Sequence, residues 1–131
     1  MIVDSSAIVA IVREEAEGAR LAALIAKQSR AEMSAGNYLE TSIVIDSDRD
    51  PALSAGLDAL LDRLGVTVAP VTESQARLAR QAYRDFGKGN GHPAKLNYGD
   101  CFAYALAMER GEALLYKGDD FAHAGLARVD A

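Results

Sequence analysis

Hydrophobic and polar positions along the chain switch between short apolar runs and longer stretches with helical spacing. Short apolar runs predict buried strands, whereas apolar positions three and four residues apart predict amphipathic helices. The predicted strands are 1–4, 31–33, 66–71, 112–116 and, near the end of the chain, 126–129. The predicted helices are 5–12, 14–28, 34–47, 51–64, 73–87 and one that begins after Asn97.

Capping and breaking residues mark several of these helix boundaries. Ser5 or Ser6 is expected to cap the first helix, and Thr72 the helix that begins at position 73. Pro51 suits the first turn of the helix over 51–64, and Gly65 suits its end.

Strands that alternate with helices predict an α/β fold. The expected architecture has three layers, α/β/α, with a small and mainly parallel sheet covered by helices on both faces. The length of 131 residues suits a single domain, 1–131, with one core. Ligands of such sheets bind beyond the carboxyl ends of the strands, so residues at those ends are the first candidates for a site.

The stretch LNYGDCFAYALA (96–107) predicts a helix with an apolar body and a carboxylate in its first turn. Asn97 suits the N-cap and Asp100 the third helical position, a capping-box-like pair at the positive end of the helix dipole. In the other interpretation Asp100 faces a functional site. The stretch alone leaves both interpretations open.

Acidic residues cluster where the predicted sheet has its carboxyl edge. Asp4 ends the first strand, Glu40 lies in the helix after the second strand, Asp100 opens its helix, and Asp119 and Asp120 follow strand 112–116. Gathered carboxylates raise one another's pKa, and a divalent cation removes that cost. Oxygen ligands without His or Cys suit Mg²⁺ or Mn²⁺ rather than Zn²⁺. This pattern predicts phosphoryl transfer or phosphodiester hydrolysis.

Each acid also has a purely structural interpretation. Asp4 suits a helix cap, Glu40 suits a solvent-exposed helix position, and Asp119 and Asp120 suit a glycine-containing turn. The joint pattern carries more weight than any one of its members.

The net charge of the chain bears on which partners the protein can bind. With 14 basic and 19 acidic side chains the net charge is −5, which does not favour nucleic-acid binding by the surface as a whole. Local phosphate contacts are expected from Lys88, His92 and Lys95 around the glycine-rich loop and from Lys117 beside the acidic turn, with Arg13 a weaker candidate. Each of these also suits an ordinary solvated position.

A single cysteine, Cys101, excludes an intramolecular disulfide framework and fits the reducing cytosol. The longest apolar run, 7–12, is too short to cross a bilayer, and the first residues lack the basic region of a signal peptide. The sequence therefore predicts a cytoplasmic protein without a membrane partner.

Four blocks, MIVDSSAIVAIV, SAGNYLETSIV, LNYGDCFAYALA and LLYKGDDF, resemble the PIN-domain ribonucleases in order and spacing. More narrowly, the chain is similar over essentially its whole length to the VapC-type toxins of bacterial VapBC toxin–antitoxin pairs. The resemblance implies a Mg²⁺- or Mn²⁺-dependent endoribonuclease with an α/β/α fold. It also implies an RNA substrate, a homodimer and a VapB-type antitoxin that inhibits it.

The resemblance also assigns roles to residues of this chain. It implies hydrolysis by a metal-activated water that leaves a 3′-hydroxyl and a 5′-phosphate. Ser6 is implied as a supporting partner of the first acid. The implied metal-binding and catalytic residues are Asp4, Glu40, Asp100 and Asp119, with Asp120 in reserve for the fourth position.

Two other functions remain as alternatives. One is a PIN-like module that binds a partner without catalysis, and the other is a different Mg²⁺-dependent phosphoryl-transfer domain. Receiver domains and haloacid-dehalogenase-type phosphatases fit less well, because they need a second acid directly after the first strand, where this chain has Ser5 and Ser6.

Overall fold

A computed structural model describes residues 1–89, 91, 95–118, 121 and 124–129. These residues form four strands and six helices, with two helices between each strand and the next. In chain order they are β1 (Ile2–Val3), α1 (Ser5–Val12), α2 (Gly18–Ala26), β2 (Ala31–Ser34), α3 (Ala35–Ser47), α4 (Pro51–Leu64), β3 (Val66–Ala69), α5 (Glu73–Phe86), α6 (Tyr98–Arg110) and β4 (Leu114–Leu115).

The four strands form one sheet in the order β3-β2-β1-β4, and every pair is parallel. Ile2 lies opposite Glu32 on one side and Leu114 on the other, which places the short strand β1 at the centre. Parallel neighbours need crossover connections, which the helices supply. The predicted parallel sheet is confirmed.

Helices cover both faces of the sheet, as the α/β/α prediction requires. Successive residues of a strand point to opposite faces. Val3 and Leu115 therefore belong to a core with residues of α1, α2 and α4, whereas Ile2 and Leu114 belong to a second core with residues of α5 and α6. Among the described residues, no helix is both long and apolar enough to cross a membrane.

Several helix boundaries agree with the capping residues in the sequence. Ser34 caps α3 and Thr72 caps α5, each accepting a backbone N–H with its side chain. Pro51 occupies the first turn of α4, and Gly65 ends that helix with a left-handed φ of 71°.

The N-cap of α1 is Asp4, as its structural interpretation predicted, and the expectation that Ser5 or Ser6 caps this helix was wrong. The extended backbone of Asp4 (φ −80°, ψ 157°) lets its carboxylate accept the Ser6 N–H, and both serines already lie within the helix. A strand that ends on an N-cap carboxylate thus passes directly into a helix.

Helix α2 begins at Gly18, so the predicted start at position 14 was wrong. Glu14 has a φ of 53°, and the N–H of Glu15 turns back to the Ala10 carbonyl. Residues 13–17 therefore form a tight connection in place of a first helical turn. A Cβ on Gly18 would lie 2.7 Å from the Ala10 carbonyl oxygen, so glycine permits this close approach.

Two further differences concern the end of the chain and α5. Residues 126–129 form a single bridge between Arg128 and Leu114 in place of the predicted strand. In α5 the helical spacing of Leu78, Ala79, Ala82, Tyr83 and Phe86 predicts one apolar face, but Tyr83 is 42% exposed, whereas Phe86 packs against the second core.

Candidate active site

A cleft of about 330 Å³ lies at the carboxyl ends of the strands, where the sequence predicted a site. Five of the predicted residues line it together: Asp4, Ser6, Glu40, Asp100 and Lys117. They come from the start of α1, from α3, from the first turn of α6 and from the segment after β4.

Asp4 has a buried carboxylate of which one oxygen accepts a hydrogen bond. It is only 4% exposed, and its Oδ2 accepts the Ser6 N–H at 3.0 Å. Its Oδ1 is buried and has no hydrogen-bond partner within the described part of the chain. Burial raises the pKa of Asp4 from 3.8 to about 6, hydrogen bonds from Ser6 oppose the rise, and the charge of Glu40 adds to it.

Asp100 is held rigidly by the N-terminus of α6. Its Oδ2 accepts the Asn97 N–H at 2.9 Å, while the Asn97 side chain accepts the Asp100 N–H at the same distance. This is the reciprocal capping box that the sequence predicted. Asp100 also lines the cleft, so its capping role is compatible with a place in a functional site.

Cys101 follows Asp100 and is an inert thiol. Burial raises the pKa of Cys101 to about 11, and the neighbouring charge of Asp100 acts in the same direction. Reactive cysteines are thiolates at neutral pH, so Cys101 is a packed side chain rather than a nucleophile.

Glu40 lies against the first turn of α6. Its Oε1 accepts a hydrogen bond from Asn37 Nδ2 at 3.3 Å. A Cβ built on Gly99 would lie 1.8 Å from Glu40 Oε2, so only glycine leaves room for this carboxylate. Neither Asn37 nor Gly99 was identified from the sequence, although Asn37 lies one helical turn before Glu40 and so shares its face.

Ser6 and Lys117 connect α1 to the segment after β4. The Ser6 hydroxyl accepts the backbone N–H of Lys117 at 2.9 Å, and the Lys117 ammonium is paired with Glu15. Glu15 lines the cleft as well and was missed in the sequence, because the predicted helix over 14–28 placed it in an exposed first turn.

Three other candidate residues, Lys88, Lys95 and Arg13, lie outside the cleft lining. Lys88 and Lys95 do not line the cleft, although the N–H of Lys88 bonds to the carbonyl of Leu96, next to the cleft residue Asn97. Arg13 makes a two-point ion pair with Asp48. His92, Asp119 and Asp120 lie outside the described residues.

The donor set fits a hard cation. Within the described ranges, no three acidic, histidine or cysteine side chains converge closely enough to form a ready-made metal site. However, four carboxylates line one cleft, those of Asp4, Glu15, Glu40 and Asp100, and Asp4 keeps a buried oxygen without a hydrogen-bond donor in the described part of the chain. A divalent cation ligated by oxygen satisfies that atom and compensates the charge.

Comparison with known proteins decides the family. A family model described as PIN domain matches residues 1–126. Ribonuclease VapC28 of Mycobacterium tuberculosis is 56% identical over 129 residues, which cover 98% of this chain and 97% of the relative. The chain belongs to the VapC ribonucleases of the PIN-domain family.

Solved structures agree with the VapC fold. The crystal structure of M. tuberculosis VapC20, a toxin that cleaves the sarcin–ricin loop, aligns with a TM-score of 0.77 at 20% identity, covering 99% of this chain and 98% of that one. A toxin–antitoxin complex from Klebsiella pneumoniae aligns with a TM-score of 0.72 at 14% identity, covering 95% and 92%.

Family membership confirms three expectations from the sequence. They are the resemblance to VapC-type proteins, the α/β fold class, and the function of an endoribonuclease toxin. VapC ribonucleases are metal-dependent, so the VapC chain needs a cation site, for which the cleft is the candidate.

We predict that the free energy of unfolding of Asp4→Asn, relative to that of the wild type, is larger at pH 7 than at pH 4. Both proteins are kept metal-free with EDTA. The folded-state pKa of Asp4 lies above its unfolded value, so ionisation destabilises the fold progressively from about pH 4 to 6. The rise from 3.8 to about 6 corresponds to about 3 kcal/mol in the free energy of unfolding. Urea unfolding at pH 4 and 7 measures the difference between the variants, and an equal difference at both pH values would contradict the prediction.

We also predict that Gly99→Ala lowers ribonuclease activity on the order of a hundredfold, because the new methyl group displaces the Glu40 carboxylate. Initial rates of RNA cleavage measure the loss, and circular dichroism checks that the helices remain. The matched control is Gly56→Ala in α4, where a Cβ would meet nothing within 4 Å. Equal activities of the two variants would show that the position of Glu40 is unimportant.

Proposed function

We propose that the cleft hydrolyses RNA phosphodiester bonds with Mg²⁺ or Mn²⁺ held by Asp4, Glu40, Asp100 and Asp119, with Asp120 in reserve for the fourth position. The observation that carries the proposal is the buried Oδ1 of Asp4, which has no donor in the described part of the chain. A carboxylate that is kept buried at the cost of a raised pKa is typical of a functional site.

The proposed ligands differ in how firmly they are held. Asp4 and Asp100 are each fixed by backbone N–H groups at a helix start, so both carboxylates are preorganised. Glu40 accepts a hydrogen bond from the side chain of Asn37, and we assign it to orient or deprotonate the attacking water. When bound, the cation supplies Lewis-acid activation of water and neutralises charge on the phosphate.

Ser6 contacts both Asp4 and the segment after β4. Its backbone N–H holds one oxygen of Asp4, and its hydroxyl holds the backbone of Lys117. Ser6 therefore links the first acid to the segment that leads towards Asp119. This matches the supporting role that the family resemblance assigns to it.

For the substrate we propose single-stranded or looped RNA, cleaved to leave a 3′-hydroxyl and a 5′-phosphate. Lys117 lines the cleft and is the best-supported phosphate contact, with Glu15 as its counterion until a phosphate replaces it. Lys88, Lys95 and His92 are proposed as weaker contacts farther along the RNA backbone.

For partners we propose a homodimer and a VapB-type antitoxin, in the cytoplasm. A groove between α3 and α6 supports the homodimer, because Leu39, Ile43 and Tyr98 are 60, 60 and 78% exposed beside it. Glu40 lines both this groove and the cleft, so the proposed dimer face adjoins the site. The Klebsiella neighbour, which is a toxin–antitoxin complex, supports the antitoxin.

The proposal is tested by incubating the purified protein with single-stranded and stem–loop RNAs. We expect cleavage with Mg²⁺ or Mn²⁺, none in EDTA, and a loss of at least roughly a hundredfold in Asp100→Asn, which keeps a capping side chain but loses a charge. The control, Asp62→Asn, changes an exposed acid in α4.

Cleavage that survives both EDTA and Asp100→Asn would contradict the proposed chemistry. Absence of cleavage under every metal condition would favour the alternative of a PIN-like module that binds without catalysis.

A further inference from the structure

Asn37 joins the three segments that carry the cleft acids. Its backbone carbonyl accepts the hydroxyl of Ser5, the neighbour of Asp4, at 3.2 Å. Its side-chain Nδ2 donates to Glu40 Oε1 at 3.3 Å and to the carbonyl of Gly99, the neighbour of Asp100, at 2.9 Å. One fully buried residue therefore contacts α1, α3 and α6 at the points where their carboxylates enter the cleft.

The orientation of the Asn37 amide follows from its neighbours. Both atoms near Nδ2 are acceptors, so the NH₂ group and not the oxygen faces them. The other end of the amide, Oδ1, is buried without a partner among the described residues. An unsatisfied buried oxygen lowers stability, so the position is better suited to holding Glu40 and Gly99 than to stabilising the fold.

We infer that Asn37 is a positioning residue that holds the Glu40 carboxylate against the first turn of α6 and thereby sets its geometry for the cation. The inference rests on the proposed function, because it assigns Glu40 to the metal site. Asn37 does not itself reach the reacting atoms. It acts through Glu40, as partners of metal-binding carboxylates do in other proteins.

The side chain at position 37 must donate two hydrogen bonds, one to Glu40 and one to the carbonyl of Gly99. An aspartate would place another carboxylate directly beside Glu40 and would donate no hydrogen bond when ionised. A leucine has a similar volume but no polar atom, so it removes both hydrogen bonds and the unsatisfied oxygen together. Asn37→Leu therefore separates a positioning role from a packing role.

Thr41 provides a matched control on the same helix. It is fully buried one turn after Asn37, and its hydroxyl also has no partner in the described part of the chain. Its side chain therefore donates to none of the described cleft acids. Thr41→Val keeps the shape of the side chain and removes only the hydroxyl.

The experiment measures Mn²⁺ affinity by electron paramagnetic resonance of the free ion, together with kcat and KM for RNA cleavage. We expect Asn37→Leu to weaken Mn²⁺ binding roughly tenfold or more and to lower kcat with little change in KM. We expect Thr41→Val to change neither quantity. Asn37→Ala serves as a second variant, and urea unfolding confirms that each protein is folded.

A double-mutant cycle tests whether Asn37 acts through Glu40. Glu40→Gln alone should weaken Mn²⁺ binding, and adding Asn37→Leu to it should change the affinity by less than about twofold. If Asn37→Leu lowers the Mn²⁺ affinity of Glu40→Gln as much as it lowers that of the wild type, the inference is overturned.

Two further results separate the inference from the proposed function. Wild-type affinity in both folded Asn37 variants, with weakened affinity in Glu40→Gln, would overturn the role of Asn37 and leave the metal site intact. Absence of Mn²⁺ binding by the wild type, together with RNA cleavage in EDTA, would overturn the proposed function and the inference with it.

Discussion

The burial of the Asp4 carboxylate is the constraint around which the site is built. A central strand of two residues ends on this side chain, which then caps the following helix with one oxygen and leaves the other without a donor in the described part of the chain. Burial holds the pKa of Asp4 near 6, so ionisation at neutral pH lowers stability unless a cation compensates it. The fold thus keeps a costly charge at the edge of the sheet, where ligands of parallel sheets bind.

The first turn of α6 completes the site through three neighbouring residues with different tasks. Asn97 and Asp100 cap the helix reciprocally, which holds Asp100 still. Gly99 has no side chain, so the Glu40 carboxylate can approach the turn. The Gly99 carbonyl accepts a hydrogen bond from the side-chain amide of Asn37. Capping is compatible with the proposed role of Asp100 as a metal ligand, because rigid support from the backbone is what a metal ligand requires.

Local chemistry explains which features the sequence predicted. The caps Asn97 and Thr72 depend on atoms within three residues, so their residue types were sufficient. The start of α2 was wrong because Glu14 adopts a left-handed backbone and the N–H of Glu15 returns to the Ala10 carbonyl at the end of α1, a turn that is usually marked by glycine and not by glutamate. Asn37 was missed because its partner Gly99 lies 62 residues away, and only the fold brings α3 and α6 together. Asp119 and Asp120 remain predictions, since they lie outside the described residues.

A crystal structure of the wild type grown with Mn²⁺ would show whether Asp4 binds a cation. We expect an anomalous difference peak in the cleft, within coordination distance of Asp4 Oδ1, with Asp100 and Glu40 as neighbours directly or through water. The peak should be lost in Asp4→Asn crystals grown under the same conditions. A peak on another part of the surface, or one that persists in Asp4→Asn, would contradict the claim that Asp4 is kept buried for a cation.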